Sequence, residues 1–199
     1  MLMTKETEYA NPESPSQHRI KDAALAILDQ GEQLVSFLPV AAYRERTPLA
    51  FNASIGGHYR HCLDHFASFL RGLDRGEINY DARDRDPRLE SDPEFARQLT
   101  GRLRREIEAL TQETLARPIA TRAEVSYAPG ESAVAASSAG RELAYAIAHA
   151  IHHYALIAFM ARLNGVALPE GFGLAPSTLA YQTRQTVQAS HHNHVALAI

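Results

Sequence analysis

Between Arg141 and Asn164 the chain reads RELAYAIAHAIHHYALIAFMARLN, uninterrupted by Gly or Pro, and this stretch restricts the fold more than any other. Leu143, Ile147, Ala150, Ile151, Tyr154, Ala158 and Ala161 follow the three-and-four spacing of an amphipathic helix. Ser138 is the expected cap and Gly165 the expected stop. The helix carries histidines where core residues are expected, which predicts a buried helix that binds something. At about 100° per residue, His149 and His153 lie roughly 40° apart on one face and roughly 6 Å apart along the axis, a spacing that lets two imidazoles share one metal ion. His152 points elsewhere, about 60° to the other side of His149. Glu142 and Tyr145 fall on the same stripe one or two turns earlier, where a buried carboxylate and phenol would support the ligands or handle protons. A His pair four residues apart also arises often in helices without metal, so the reading depends on a second cluster.

That cluster lies in SIGGHYRHCLDHFASFLRGL, a second helix running to about Leu73 and capped by Asn52 or Ser54. Ile55, Cys62, Phe66, Phe69, Leu70 and Leu73 supply its apolar face. His58, His61 and His65 recur at intervals of three and four and form one stripe about 60° wide. Three histidines on a core-facing stripe are hard to satisfy without a partner, although each can also be a surface or hydrogen-bonded residue. Gly56 and Gly57 cost roughly 1 kcal/mol each against Ala inside a helix unless a ligand or a neighbouring backbone needs the space. Asp64 is either an orienting partner for an imidazole or a solvated charge. Cys62 is open to a role as fourth ligand or redox thiol, but a buried cysteine packing as a small hydrophobe is the favoured reading.

Two further helices complete the set. Ile20, Ala23, Ala24, Ile27, Leu28, Leu34, Val35 and Leu38 mark a first helix over Gln17–Leu38, which Pro39 ends. Asp92 or Ser91 caps a third helix, with Pro93 at its first position, reaching to about Ala116 and turning Phe95, Leu99, Leu103, Ile107 and Leu110 inward. Between helices two and three, NYDARDRDPRLE is an ordered polar loop or linker. Its Arg83 and Arg85 could reach over a site and bind an anion, while the bland alternative is a salt-bridged surface. Ala123, Val125 and Tyr127 alternate with Arg122, Glu124 and Ser126, and Ala-Pro-Gly-Glu follows, so a small β-hairpin is expected before the last core helix. After Gly165, the apolar residues Phe172, Leu174, Leu179 and Tyr181 need cover, so this segment is expected to fold back over the bundle.

Domain organisation follows from this pattern: a loose polar tail at 1–16, one helical domain at 17–182 and a C-terminal tail at 183–199, whose three histidines are expected to bind metal only adventitiously. The fold class expected is all-α, a four-helix bundle with a long crossover and a small β-hairpin. The 199 residues are 45% hydrophobic, enough for one core. A net charge of -3 gives no electrostatic case for nucleic acid. The absence of an eighteen-residue apolar run or a secretory leader leads to an expectation of a soluble, cytoplasmic protein with no membrane partner. The lone Cys62 excludes an internal disulfide. Facing helices of such a bundle can build a metal site in the core, and one His from the second helix would join His149 and His153. Three protein ligands leave a position open, the coordination of a catalytic metal. The HExxH helix of zinc proteases, the paired Glu-x-x-His sets of di-iron bundles and a glycine-rich phosphate loop are all missing.

SIGGHYRHCLDHF, the YDARDRDPRLE loop, HAIHHYALIAF and a closing FGLAPST, in this order, make the chain resemble the DinB/YfiT-like superfamily of metal-binding four-helix bundles over about residues 20–182. The resemblance implies a DinB-like fold and a divalent metal, zinc, nickel or iron, held by one His of the second helix and the His-x-x-x-His pair of the fourth. Matched residue by residue, those ligands are His61, His149 and His153, with His58 and His65 open as replacements or supplements for His61. It also implies a small-molecule substrate, with low-molecular-weight thiols the leading class, and a metal-activated thiolate or water as nucleophile. In that setting Tyr145 and Glu142 would assist proton movement and Arg83 or Arg85 would neutralise an acidic substrate. The competing reading is a non-enzymatic bundle whose metal is structural or which binds a small ligand. Such bundles commonly dimerise, so a homodimer stays open, although no surface stripe demands one.

Overall fold

Capping side chains set the helix boundaries in the computed structural model, which describes residues 15–127 and 130–196, with side chains over 19–127 and 130–186. Four long helices, α1 (Pro15–Phe37), α3 (Ile55–Arg75), α5 (Pro93–Glu108) and α7 (Ala139–Leu163), form the bundle. Helix α1 packs on α5 and α7, and α3 packs on α7 and α5. Short elements join them: α2 (Val40–Arg44), β1 (Arg46–Thr47), a 3-10 turn (Pro48–Ala50) and β2 (Ala53–Ser54) before α3, then β3 (Glu77–Asn79) and α4 (Arg88–Ser91) before α5. Helix α6 (Gln112–Ala116) and the hairpin β4 (Pro118–Glu124) and β5 (Ser132–Ser138) precede α7, and α8 (Pro176–Ala196) closes the chain.

Of the two candidate caps for α3, Ser54 is used: its hydroxyl accepts the Gly57 N–H at 3.0 Å. The Asp92 carboxylate accepts the N–H groups of Glu94 and Phe95 at the start of α5, and the Ser138 hydroxyl accepts from Arg141 at the start of α7. The third helix does not reach Ala116 unbroken as expected. Thr111 turns into extended backbone and its hydroxyl caps α6 by accepting the Thr114 N–H at 3.1 Å. Lys21 reaches over from α1 and donates to the freed carbonyls of Glu108 and Leu110. A capping hydroxyl and a cation at the last carbonyls therefore end the helix where apolar spacing alone continues it.

The expected hairpin is present, pairing antiparallel from Pro118 with Ser138 to Glu124 with Ser132. A third strand, β3, not expected from the sequence, pairs parallel with β4 and makes the sheet three-stranded. Gly76, at φ +72°, turns the chain from α3 straight into it. Three residues are too few to show a period. The polar loop after β3 is ordered: the Asn79 side chain accepts the N–H groups of Asp81 and Ala82, and Asp81 accepts the N–H of Glu124.

The core is apolar and closed by hydroxyls that find partners. Leu28, Leu34, Leu63, Phe66, Phe69 and Leu143 are buried. Thr100 donates to the Ala96 carbonyl, so Tyr59, 2.7 Å away, is the donor between the two hydroxyls. Tyr154 donates to the Ile27 carbonyl at 3.0 Å. Gly56 has a reason to be glycine, since a Cβ there would lie 2.2 Å from the Glu90 carbonyl oxygen. By length and composition α7 would suffice to cross a membrane. Its place is the middle of the bundle, packed on both α1 and α3, with Ala146, Ala150, Tyr154 and Ala161 buried.

The segment after Gly165 covers the bundle only in part. Phe172 is buried and stacks on Tyr154 with ring centroids 5.2 Å apart. Leu174 and Tyr181 remain 42% and 59% exposed, so the expectation of cover fails for these two: both follow the Gly171 and Gly173 turns, Leu174 just ahead of α8 and Tyr181 in its second turn. Helix α8 continues through residue 183, where a tail is expected to begin. Of the expected N-terminal tail, residues 1–14 lie outside the described residues, as do the side chains of the C-terminal His191, His192 and His194.

Candidate metal centre

Packing α3 against α7 brings the two histidine stripes face to face. One ring nitrogen from each of His61, His149 and His153 lies within 4.8 Å of the other two, and all three residues are half-buried. The Nε2 atoms of His61 and His149 are 2.8 Å apart. The remaining two histidines of the α3 stripe take flanking positions. His58 places its Nδ1 2.9 Å from Nδ1 of His153. His65, buried, directs Nδ1 at the His61 carbonyl oxygen at 2.9 Å and stacks on His149 with centroids 3.9 Å apart.

A carbonyl only accepts, so His65 carries its proton on Nδ1. Its contact fixes the carbonyl of one candidate ligand while its ring face supports another. Burial holds all five imidazoles below the ordinary histidine value. His61 falls to about 2, His149 to about 4 and His153 to about 3, chiefly through desolvation and then through the like charge of neighbouring imidazoles. At neutral pH these rings are uncharged and their lone pairs are available. Two uncharged rings meeting at Nε2 leave at most one proton between two acceptors. One such proton makes an ordinary hydrogen bond between the two rings; a divalent cation in its place would take both lone pairs together with the His153 nitrogen. The residues therefore fit a metal ion of the imidazole-binding kind.

The other sequence candidates divide. Glu142 is buried, and its carboxylate accepts from the Tyr80 hydroxyl at 2.9 Å and the Ser137 hydroxyl at 2.6 Å. It reaches the histidines only through the Tyr80 ring, which stacks on His65 at 5.4 Å. Tyr145 is not the buried phenol that the helical spacing suggests: it is 39% exposed, with its ring 5.8 Å from that of His149 and 5.1 Å from that of Tyr80. Arg83 is half-buried, its Nε is enclosed with no hydrogen-bond partner among the described residues, and its charge acts on His61, His65 and His149. Arg85 is exposed, at φ +50°, and acts mainly on Arg83.

Asp64 neither orients an imidazole nor lies in solvent. It is buried and paired with Arg60 at 2.8 Å, which in turn holds Glu90 at 2.8 Å. Burial pushes its carboxyl up and Arg60 offsets this. Cys62 packs in the core as a small hydrophobe, its thiol pushed well up by burial. His152 is exposed on the outer side of α7, as its helical angle requires. Tyr80 and Ser137 went unassigned in the sequence reading. Tyr80 opens the charged loop and Ser137 lies one residue before the end of β5, and nothing local to either residue marks it as a partner of Glu142.

The sequence profile of a family described as the DinB superfamily matches residues 28–157. FK506-binding protein 5 of Rhizopus delemar is 37% identical over 108 residues, 54% of this chain and 28% of that protein. The chain thus spans little more than a quarter of that relative's length. No solved structure matches the chain.

Proposed function

The chain belongs to the DinB superfamily, whose members are generally metal-binding, and from that premise we propose that it is a divalent-metal-dependent enzyme acting on a small molecule through an activated thiolate or water. The observation that carries this is the convergence of three uncharged imidazole nitrogens within 4.8 Å at a half-buried point between two helices. His61, His149 and His153 would hold the ion, zinc, nickel or iron. When bound there, a divalent ion with three protein ligands supplies Lewis acidity, lowering the pKa of a water or thiol at its open position.

The chain's own residues do the rest. His65 donates its Nδ1 proton to the His61 carbonyl and braces the His149 ring, keeping two ligands in register. Tyr145 stands beside His149 and is open to solvent, so its phenol can touch a substrate and pass it a proton. Glu142 is a positioning residue: it accepts the Tyr80 hydroxyl proton in a hydrogen bond and so holds the ring that backs His65. Arg83 is half-buried and its positive charge acts on His61, His65 and His149, which suits a carboxylate on the substrate, and the like charge of Arg85 adds to the field of the same loop.

The test is consumption of low-molecular-weight thiols by the metal-loaded protein in the presence of a bromobimane or an epoxide. Turnover above a metal-only control, lost in His149→Ala, supports thiol transfer. Absence of turnover across a panel of thiols and esters supports the second reading, a non-enzymatic bundle. That reading draws on the two imidazole pairs, His61 with His149 and His58 with His153, which can satisfy one another by hydrogen bonds at 2.8 and 2.9 Å.

A further inference from the structure

The hairpin and α7 flank an open cleft of about 320 Å³ that has no part in the histidine cluster but shares a wall with it. Its floor is Glu142, its side wall the rings of Tyr80 and Tyr145, and its roof Ala123, Ala135 and Ser137. Tyr80 stacks on His65 and Tyr145 lies against His149, so the same two rings face the cleft on one side and the candidate metal ligands on the other.

The cleft exists because of strand periodicity. Thr121 and Ala123 alternate along β4, with Val125 just beyond its end, and share one face of the hairpin with Ala135 and Ser137, through the pairs Thr121 with Ala135 and Ile119 with Ser137. Small residues on that face stand opposite two large aromatic rings. The small side chains at 123 and 135 leave the cleft open; Leu or Ile at these two positions would fill it. Its volume sits at the lower end of the ~300–1,000 Å³ range of small-molecule sites.

The charges indicate what fits. Both Glu142 oxygens already accept hydroxyl protons, from Tyr80 and Ser137, and Arg141 stands 3.5 Å from the same carboxylate. The polar end is thus satisfied and its two charges balance. A ligand carboxylate would meet Glu142 and a ligand ammonium would meet Arg141.

We propose that this cleft binds an uncharged, largely apolar and planar group, so that the protein's second substrate is a small aromatic or similarly flat molecule held against Tyr80 and Tyr145 beside the metal centre. The identity of the ligand as a substrate rests on the proposed metal-dependent function; the cleft itself requires no metal.

The test is titration of the full-length protein with indole, followed by protein-detected NMR, in zinc-loaded and chelator-treated forms, with benzoate and benzylammonium as charged counterparts. Two variants accompany it. Ala135→Phe fills the cleft from an exposed strand position that tolerates a larger side chain, and Val134→Phe places the same bulk on the opposite face of β5. The expected result is saturable indole binding in both forms, weakened at least tenfold by Ala135→Phe and unchanged by Val134→Phe. The site is overturned if the wild type shows no saturable binding, if Ala135→Phe binds as the wild type does, or if both variants weaken binding alike. Tighter binding of either charged counterpart overturns the assignment of an uncharged ligand. Failure to bind zinc, with indole binding intact, would sink the proposed function and leave the cleft standing.

Discussion

His65 lies flat against His149, with ring centroids 3.9 Å apart, while its Nδ1 donates to the His61 carbonyl. One imidazole thus braces two proposed ligands that come from different helices. Replacing it separates bracing from ligation. His65→Ala is expected to retain about one metal per chain at saturation but to bind it about 10- to 100-fold more weakly, the usual cost of losing a partner behind a ligand. Competition with a chelator of known affinity measures this. Loss of metal from His65→Ala, with full metal content in His61→Ala, would reverse the two roles.

Two glycines test the packing in opposite directions. In Gly56→Ala the new Cβ would sit 2.2 Å from the Glu90 carbonyl oxygen, a backbone atom that cannot step aside. A loss of about 1–3 kcal/mol is expected, as for other overpacked positions. Gly101 is inside α5 and its Cβ would meet only the end of the Arg105 side chain, at 3.7 Å. Gly101→Ala is expected to gain about 0.5–1 kcal/mol from helix propensity. Urea unfolding of both variants checks the pair, and equal effects would contradict the packing described.

Acid should destabilise the metal-free protein well before carboxylates titrate. His61, His149 and His153 have folded-state values of about 2, 4 and 3, below the ordinary histidine value of 6.5. Below pH 6.5 the unfolded chain binds protons at these rings that the folded chain does not. Stability is therefore full above that pH and falls as pH drops toward 4, by about 1.4 kcal/mol per pH unit for each unequal proton. Chelator-treated protein melted between pH 7.5 and 4.5 tests this. A flat profile would mean that the rings are not held uncharged.

The residues facing the substrate separate by kinetics. With turnover established, Tyr145→Phe is expected to lower kcat about 100-fold at unchanged metal content, the scale of a lost proton donor. Arg83→Gln is expected to raise KM for a carboxylate-bearing thiol and not for mercaptoethanol, with Arg85→Gln close to wild type. Equal effects at 83 and 85 would place the anion on the loop surface.

Much of this architecture is legible in the sequence because the signals are local. Ser54, Asp92 and Ser138 cap the helices they precede, and the 58, 61, 65 and 149, 153 spacings put five imidazoles on two stripes before any packing is known. What is not legible depends on contacts distant in sequence. The break at Thr111 needs Lys21, some 90 residues away, to hold the freed carbonyls. Strand β3 is invisible until β4 pairs with it. Helical angle places Tyr145 near the metal stripe but does not show that no element covers it, so its exposure went unforeseen. The partnership of Glu142 with Tyr80 and Ser137 joins three elements, and only the folded hairpin brings them together.

His61, His149 and His153 are proposed to hold one ion between α3 and α7. The direct measurement is elemental analysis of tag-free protein purified without chelator, with His191, His192 and His194 changed to Ala throughout, beside the same protein carrying His61→Ala and His153→Ala. About one metal per chain is expected in the first and none in the second. Metal in neither, even after added zinc or nickel, or equal metal in both, would contradict this and leave these imidazoles as hydrogen-bonded residues of the bundle.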